Sequence, residues 1–314
     1  MRLVVSADAD AFARAAREFL ESRVEWNVLV TVLADVIDGR YQGESPVFAY
    51  ATDERGAVIG AALRTPPWVM LAAGFADGSA DQLIASWLEL DPAVNGVSGH
   101  PASAAAIARA WSERTGGAAS TRLRMAVHEL QQVRDPPRPA PGELRPAQRA
   151  ERELLLAWVE EFFAEAGVAG GAAQTLVDAR AAHGGLRLWD HDGPVSLVCV
   201  NRAVAEVVRI GPVYTPPPLR RKGYAGSAVA AASRAALADG ARSCVLSTDL
   251  ANPTSNKIYA EVGYRRVSDW EELSFESAMP SFAHRAERKA APTGRIQWSK
   301  SRRSTSGWTA AQAA

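Results

Sequence analysis

The stretch Val213–Gly240, VYTPPPLRRKGYAGSAVAAASRAALADG, decides how this chain is read. Val207, Val208, Ile210, Val213 and Tyr214 form a β-branched and aromatic run suited to a strand buried in a sheet. Pro216, Pro217 and Pro218 end it, because proline cannot donate to a ladder and fixes its own φ. Gly223 and Gly226 then let backbone N–H groups approach a ligand closely. A helix beginning near Tyr224 turns its unpaired amides and positive dipole end toward the same point. An anion belongs there, and a diphosphate fits best, with Arg220, Arg221 and Lys222 supplying outer charge.

Working outward, 314 residues exceed the usual single-domain size, so two lobes are expected. Lys and Arg number 35 and Asp and Glu number 35, so the whole chain implies no polyelectrolyte partner. Cys199 and Cys244 each sit inside an apolar run, which suggests a reducing compartment; they could also be neighbours in one sheet. No apolar run reaches the roughly 18 residues that span a bilayer, and MRLVVSADADAF lacks the order of a signal peptide. A cytoplasmic protein with no membrane partner and no metal site is the expectation.

Along the chain, helices are expected over Ala9–Phe19 (capped by Ser6 or Asp8), Glu25–Ile37, Phe75–Leu90 and Pro101–Trp111. Strands are expected at Val47–Thr52 and Val58–Leu63 as a hairpin, then at Val69–Ala72, Val94–Ser98 and Thr121–Val133. Asp135–Pro146, DPPRPAPGELRP, reads as a linker. Beyond it come helices at Gln148–Ala166 and Ala172–His183 and a hairpin of Leu186–Trp189 with Val195–Val200. The strand, the phosphate loop, a helix at Gly226–Ala238, a strand at Ser243–Thr248, a helix from Pro253 and strands near Tyr264 and Leu273 follow. The two halves share an order, and His100-Pro101 stands where Asn252-Pro253 stands later, which points to a degenerate internal repeat. The expected division is a first lobe at 1–134, a linker at 135–146, a second lobe at 147–276 and a basic, disordered tail at 277–314. The tail could bind nucleic acid, but a solvated tail is the preferred reading.

Arg220–Ala225, R-R-K-G-Y-A, matches the R-x-x-G-x-[GA] signature of the GNAT N-acetyltransferases. Downstream, Asn252, Tyr259, Gly263 and Tyr264 resemble that family's N-x6-Y-x3-G-[FY] helix and turn. The resemblance runs from about Arg145 to Phe275 and implies an α/β (α+β) acyl-CoA N-acyltransferase fold, a mixed and mostly antiparallel sheet flanked by helices, in two tandem lobes. Between Leu71 and Gly78 there is no matching loop, so only the second lobe is expected to bind coenzyme A.

The resemblance also implies roles. The cofactor is acetyl-CoA as co-substrate, and the other partner is an amine acceptor. The strands at Glu206–Tyr214 and Ser243–Thr248 should separate at one end. The main chain of Val213, Tyr214 and Thr215 should then receive pantetheine, with the Val213 N–H as oxyanion contact. Arg220, Arg221, Lys222, Gly223, Tyr224, Ala225, Gly226 and Ser227 should hold the pyrophosphate. Tyr259 stands in the place of the general acid, or is a packing aromatic on its helix. Asn252 meets the cofactor or simply caps its helix. Glu206 is a candidate base, or a solvated carboxylate at a strand end, and Asp249 and His191 are weaker candidates. Asp178, Glu271 and Glu272 could attract a cationic acceptor. The alternative function is an acetyl-CoA-binding sensor or scaffold without catalysis.

Overall fold

The computed structural model describes residues 1–41, 43–166 and 172–277. The expected tail beyond Ser277 lies outside the described residues, as does part of the loop after Ala166.

The first half runs β1 (Arg2–Ser6), α1 (Ala9–Glu21), α2 (Asn27–Ile37), β2 (Val47–Thr52), β3 (Val58–Arg64), β4 (Met70–Ala73), α3 (Asp77–Leu90), β5 (Gly96–Gly99), α4 (Pro101–Thr115) and β6 (Ala118–Leu130). The second runs β7 (Glu143–Pro146), α5 (Arg152–Glu165), α6 (Ala172–Ala181), β8 (Leu186–Asp190), β9 (Pro194–Val204), β10 (Val207–Tyr214), α7 (Tyr224–Ala238), β11 (Ser243–Asp249), α8 (Pro253–Val262) and β12 (Arg265–Glu276). The order of strands and helices is the same in both, which makes the internal repeat a property of the fold. The caps repeat as well: His100 Nδ1 accepts from Ala102 N, and Asn252 Oδ1 from Ser255 N, each just before a proline at the start of its helix.

The 12 strands of the described residues join one sheet in the order β1-β2-β3-β4-β5-β12-β6-β11-β10-β9-β8-β7. The last strand of each half crosses to the other: β12 pairs with β5 of the first lobe, β6 pairs with β11 of the second, and β6 and β12 pair with each other. The crossing strands carry core side chains with them. Phe275 stacks on Trp111 of α4 at 4.4 Å, and Trp270 donates from Nε1 to Ser98 Oγ at 2.8 Å. Alternation along the strands supplies two apolar faces. Val47, Ala49 and Met70 meet α3 and α4, whereas Phe48, Ala61 and Leu63 meet α1 and α2. In the second lobe Val208, Cys244 and Leu246 lie under α7, and Leu188, Leu197 and Cys199 lie under α5 and α6.

Several expectations need correction. Tyr264 and Leu273 do not mark two strands, because Arg265–Glu276 is continuous. The stretch expected as linker ends in β7, which pairs with β8. Its earlier part lies against α7: Ala140 N donates to Ser227 Oγ at 2.8 Å, and Arg234 pairs with Asp135. Cys199 and Cys244 are free and buried, on β9 and β11 with β10 between them, and burial pushes both thiols up to about 12. No described helix is long and apolar enough to cross a membrane.

Candidate active site

The parting of β10 from β11 creates the site. The two strands pair in parallel over Val207–Arg209 and then separate. The sequence explains where. Gly211 takes φ 135° and Pro212 offers no N–H, and the ladder of β10 with β9 shifts register at both Val208/Ile210 and Ile210/Val213. Beyond Arg209, no backbone group that β10 turns toward β11 has a strand partner among the described residues, which leaves a polar wedge open toward the carboxyl ends of both strands.

At the mouth of the wedge the chain forms the loop Thr215–Gly223. Arg220 closes it, donating from Nε to Thr215 O at 2.8 Å and from Nη2 to Glu165 at 2.6 Å. Arg221 at φ 65° and Gly223 at φ 85° are both left-handed, the kind of backbone that turns successive N–H groups to one side. Gly223 is needed for a second reason, since a side chain there would meet Arg138 O at 3.1 Å. It caps α7 without any side-chain acceptor, so the amides of Tyr224, Ala225 and Gly226 have no partner among the described residues and can receive an anion. Arg221 and Lys222 are exposed around them.

The first lobe has none of this. There β4 and β5 remain paired through Ala72 and Gly99, the turn Gly74–Ala76 is short, and Ser79 Oγ accepts from Ala76 N at the start of α3. Asp77 in the first turn adds a negative charge where an anion would sit.

Comparison with known proteins agrees with this asymmetry. Residues 131–264 match the model of the acetyltransferase (GNAT) family. The second half of the chain carries a GNAT acetyltransferase domain. No curated protein matches the sequence. A GCN5-related N-acetyltransferase from Sphaerobacter thermophilus is similar in structure, with TM-score 0.56 and 14% identity, over 88% of this chain and 96% of that one. A tandem GNAT protein from the clavulanic acid biosynthesis pathway gives TM-score 0.55 and 13% identity over 89% and 100%. An acetyltransferase of the GNAT family from Colwellia psychrerythraea gives 0.52 and 10% over 88% and 100%. At such identities the likeness is one of fold, two GNAT lobes in tandem.

Within the GNAT domain, α8 lies beside the first turn of α7. Ile258 Cγ2 is 3.6 Å from where a Cβ on Gly226 would stand. The next residue, Tyr259, packs its ring edge-on to Tyr264 at 6.0 Å, and its hydroxyl has no hydrogen bond among the described residues. Burial pushes its phenol up to about 12, so it stays a proton donor at neutral pH. Gly263 ends α8 at φ 110°, where a Cβ would meet Gln132 O at 2.9 Å, and Tyr264 bonds to Ser233 Oγ at 2.8 Å. The N-x6-Y-x3-G-[FY] pattern therefore has structural work at its last two positions, apart from any ligand.

Other expected site residues fall elsewhere. Glu206, expected as a base, sits in the exposed two-residue turn between β9 and β10 at φ 61°. That turn is at the paired end of β10, about eight strand residues from the open end, or roughly 26 Å; the carboxylate cannot reach the open end at Val213–Tyr214. The side chains of Tyr214, Tyr224 and Ser227 are committed inside the protein. Tyr214 donates to Glu161 at 2.6 Å, Tyr224 bonds to His191 Nδ1 at 2.8 Å, and Ser227 accepts from Ala140 N. Only their backbone can serve a cofactor. His191 is thereby engaged in the β8–β9 turn, and Asp249 accepts from Ala251 N.

The acids expected to draw a cationic acceptor are neutralised, Asp178 by Arg152 at 2.7 Å, Glu271 by Arg124 at 3.0 Å and Glu272 by Arg122. Sequence reasoning missed Gly211-Pro212 as the cause of the split, although a proline inside a strand run was a visible signal.

Proposed function

We propose that the second lobe binds acetyl-CoA in the wedge between β10 and β11 and transfers its acetyl group to an amine. The observation that carries this reading is the divergence of the two strands after Arg209, which opens directly onto the uncapped start of α7. Pantetheine is strand-like in its amide hydrogen bonding and fits the unpaired edge at Val213–Thr215. The pyrophosphate fits the amides of Arg221–Gly226.

In the reaction the amine nitrogen attacks the thioester carbonyl, a tetrahedral oxyanion forms, the C–S bond breaks, and the ammonium proton leaves to solvent. A backbone N–H at Val213 would meet the oxyanion. Tyr259 would donate a hydrogen bond to the departing thiolate. A phenol near 12 holds its proton more tightly than a thiol near ~8.5, so it stabilises the sulfur without surrendering the proton outright. Asn252 is occupied as a helix cap, and its contribution is to fix the start of α8.

The test is calorimetric titration of acetyl-CoA into the full chain, followed by thiol release with a panel of amines. Binding with turnover supports the reading. Binding without turnover on any amine favours the sensor or scaffold. No binding removes both.

A further inference from the structure

The polar groups at the open end of β10 are held by the protein itself. Ser196 of β9 is fully buried and reaches past the last residue pair of the two strands, Leu197 with Tyr214. Its Oγ donates to Tyr214 O at 3.1 Å and, having one proton, accepts from Thr215 Oγ1 at 2.8 Å. The next carbonyl, Thr215 O, accepts from Arg220 Nε at 2.8 Å. Arg220 then extends to α5, where Nη2 donates to Glu165 at 2.6 Å, and its guanidinium carbon stands 5.6 Å from the centre of the Tyr214 ring. Tyr214 reaches the same helix, donating to Glu161 at 2.6 Å. Glu161 and Glu165 are one helical step of four residues apart, so both lie on one face of α5.

The helix that receives these bonds is itself fixed. Leu155, Trp158 and Val159 are buried over Leu188, Leu197 and Cys199. A strand end whose neighbour has parted from it would otherwise keep many conformations, and a ligand binding there would have to order it. The cations of the phosphate loop are also divided in their use. Arg221 and Lys222 are exposed and make no ion pair among the described residues, whereas Arg220 gives its donors to Glu165 and Thr215 O.

We propose that Arg220 is a positioning residue and not a phosphate ligand. Together with Tyr214 it straps the open end of β10 and the phosphate loop to α5, so that the wedge is ordered before acetyl-CoA arrives. The identity of the ligand rests on the acetyltransferase reading, but the strap is a property of the free protein. The two roles of Arg220 set opposite expectations for Glu165. Against a phosphate-binding arginine, Glu165 would compete for the guanidinium, and Glu165→Gln should tighten acetyl-CoA binding. As the other half of a strap, Glu165 is needed, and the same change should weaken binding.

Two measurements on the full chain test this. In the first, amide hydrogen exchange is followed without ligand in the unmutated protein, Arg220→Gln and Glu165→Gln. The amides of Leu219 and Arg220, bonded to Pro216 O and Pro217 O within the loop, should exchange about fivefold faster in both variants. Unchanged rates overturn the strap.

In the second, acetyl-CoA is titrated calorimetrically into the unmutated protein, the two variants and the double variant. Each single change should raise Kd about fivefold, and the double variant should bind no more weakly than Arg220→Gln alone, because both changes break one link. Tighter binding by Glu165→Gln, or losses that multiply in the double variant, would make Arg220 a phosphate ligand and overturn the proposal. Faster exchange with an unchanged Kd would overturn it as well, since the strap would then not serve binding. Absence of acetyl-CoA binding in the unmutated protein removes the acetyltransferase reading and the role in binding together, while exchange still decides whether the strap holds.

Discussion

Ala225→Asp separates the phosphate site from the fold, because it should move stability and binding in opposite directions. Ala225 is half-buried in the first turn of α7, where no side chain caps the amides. A carboxylate at that position favours the helix by about 0.3–1 kcal/mol through the dipole and the free N–H groups. The same carboxylate would lie about 5 Å from a diphosphate of charge near −2. Each unit pair at that distance costs about 0.8 kcal/mol in water and about 3 kcal/mol at an effective dielectric of 20. Arg221, Lys222 and Gly223 are exposed, so the lower end governs, and roughly 2 kcal/mol overall corresponds to about a 30-fold weaker Kd.

Calorimetry with acetyl-CoA and a thermal melt measure the two effects. Ala225→Asn controls for bulk and should bind almost normally, and the loss in the Asp variant should shrink in 1 M salt, where screening acts within about 3 Å. A Kd within threefold of the unmutated value, with Tm unchanged or higher, would refute the placement of the diphosphate at the start of α7.

Tyr259→Phe should lower kcat by about 10²-fold with little change in acetyl-CoA affinity; an unchanged kcat would make the ring a packing residue only. Tyr214 and Tyr259 have phenols pushed up to about 12, mainly by burial, against about 10 when unfolded. Their contribution is therefore complete below pH 10 and is lost as pH rises from 10 toward 12. Urea midpoints should fall across that window, and a flat profile counts against it. Asp91→Ala strands Arg64, which is 4% exposed and bonded to Asp91 at 2.7 and 2.8 Å, and should cost about 3–5 kcal/mol in urea unfolding; a loss below about 1 kcal/mol contradicts this. A fragment of residues 147–276 lacks β6, which flanks β11 over Cys244–Asp249, and should not give a stable monomer; a monomer with a cooperative melt would show that the exchanged strands are dispensable.

Local chemistry wrote much of this protein into its sequence. The proline brake after Thr215, the glycine at a left-handed position before α7 and the Asn-Pro start of α8 act through neighbours a few residues away, so R-R-K-G-Y-A and the Asn252–Tyr264 pattern could be read directly. The repeat was legible for the same reason, since equal orders of strand and helix follow from periodicity and turn residues.

The tertiary structure decided what depends on pairing across the chain. Neither β6 nor β12 announces that it will cross to the other lobe, because an alternating strand states which faces are apolar and not which edge it will join. Glu206 looked available as a base until the sheet showed which end of β10 opens. Arg180 and Arg209 lie far apart in the chain, and only a helix folded back over the sheet sets their charges against each other, because charge balance is a sum over neighbours in space.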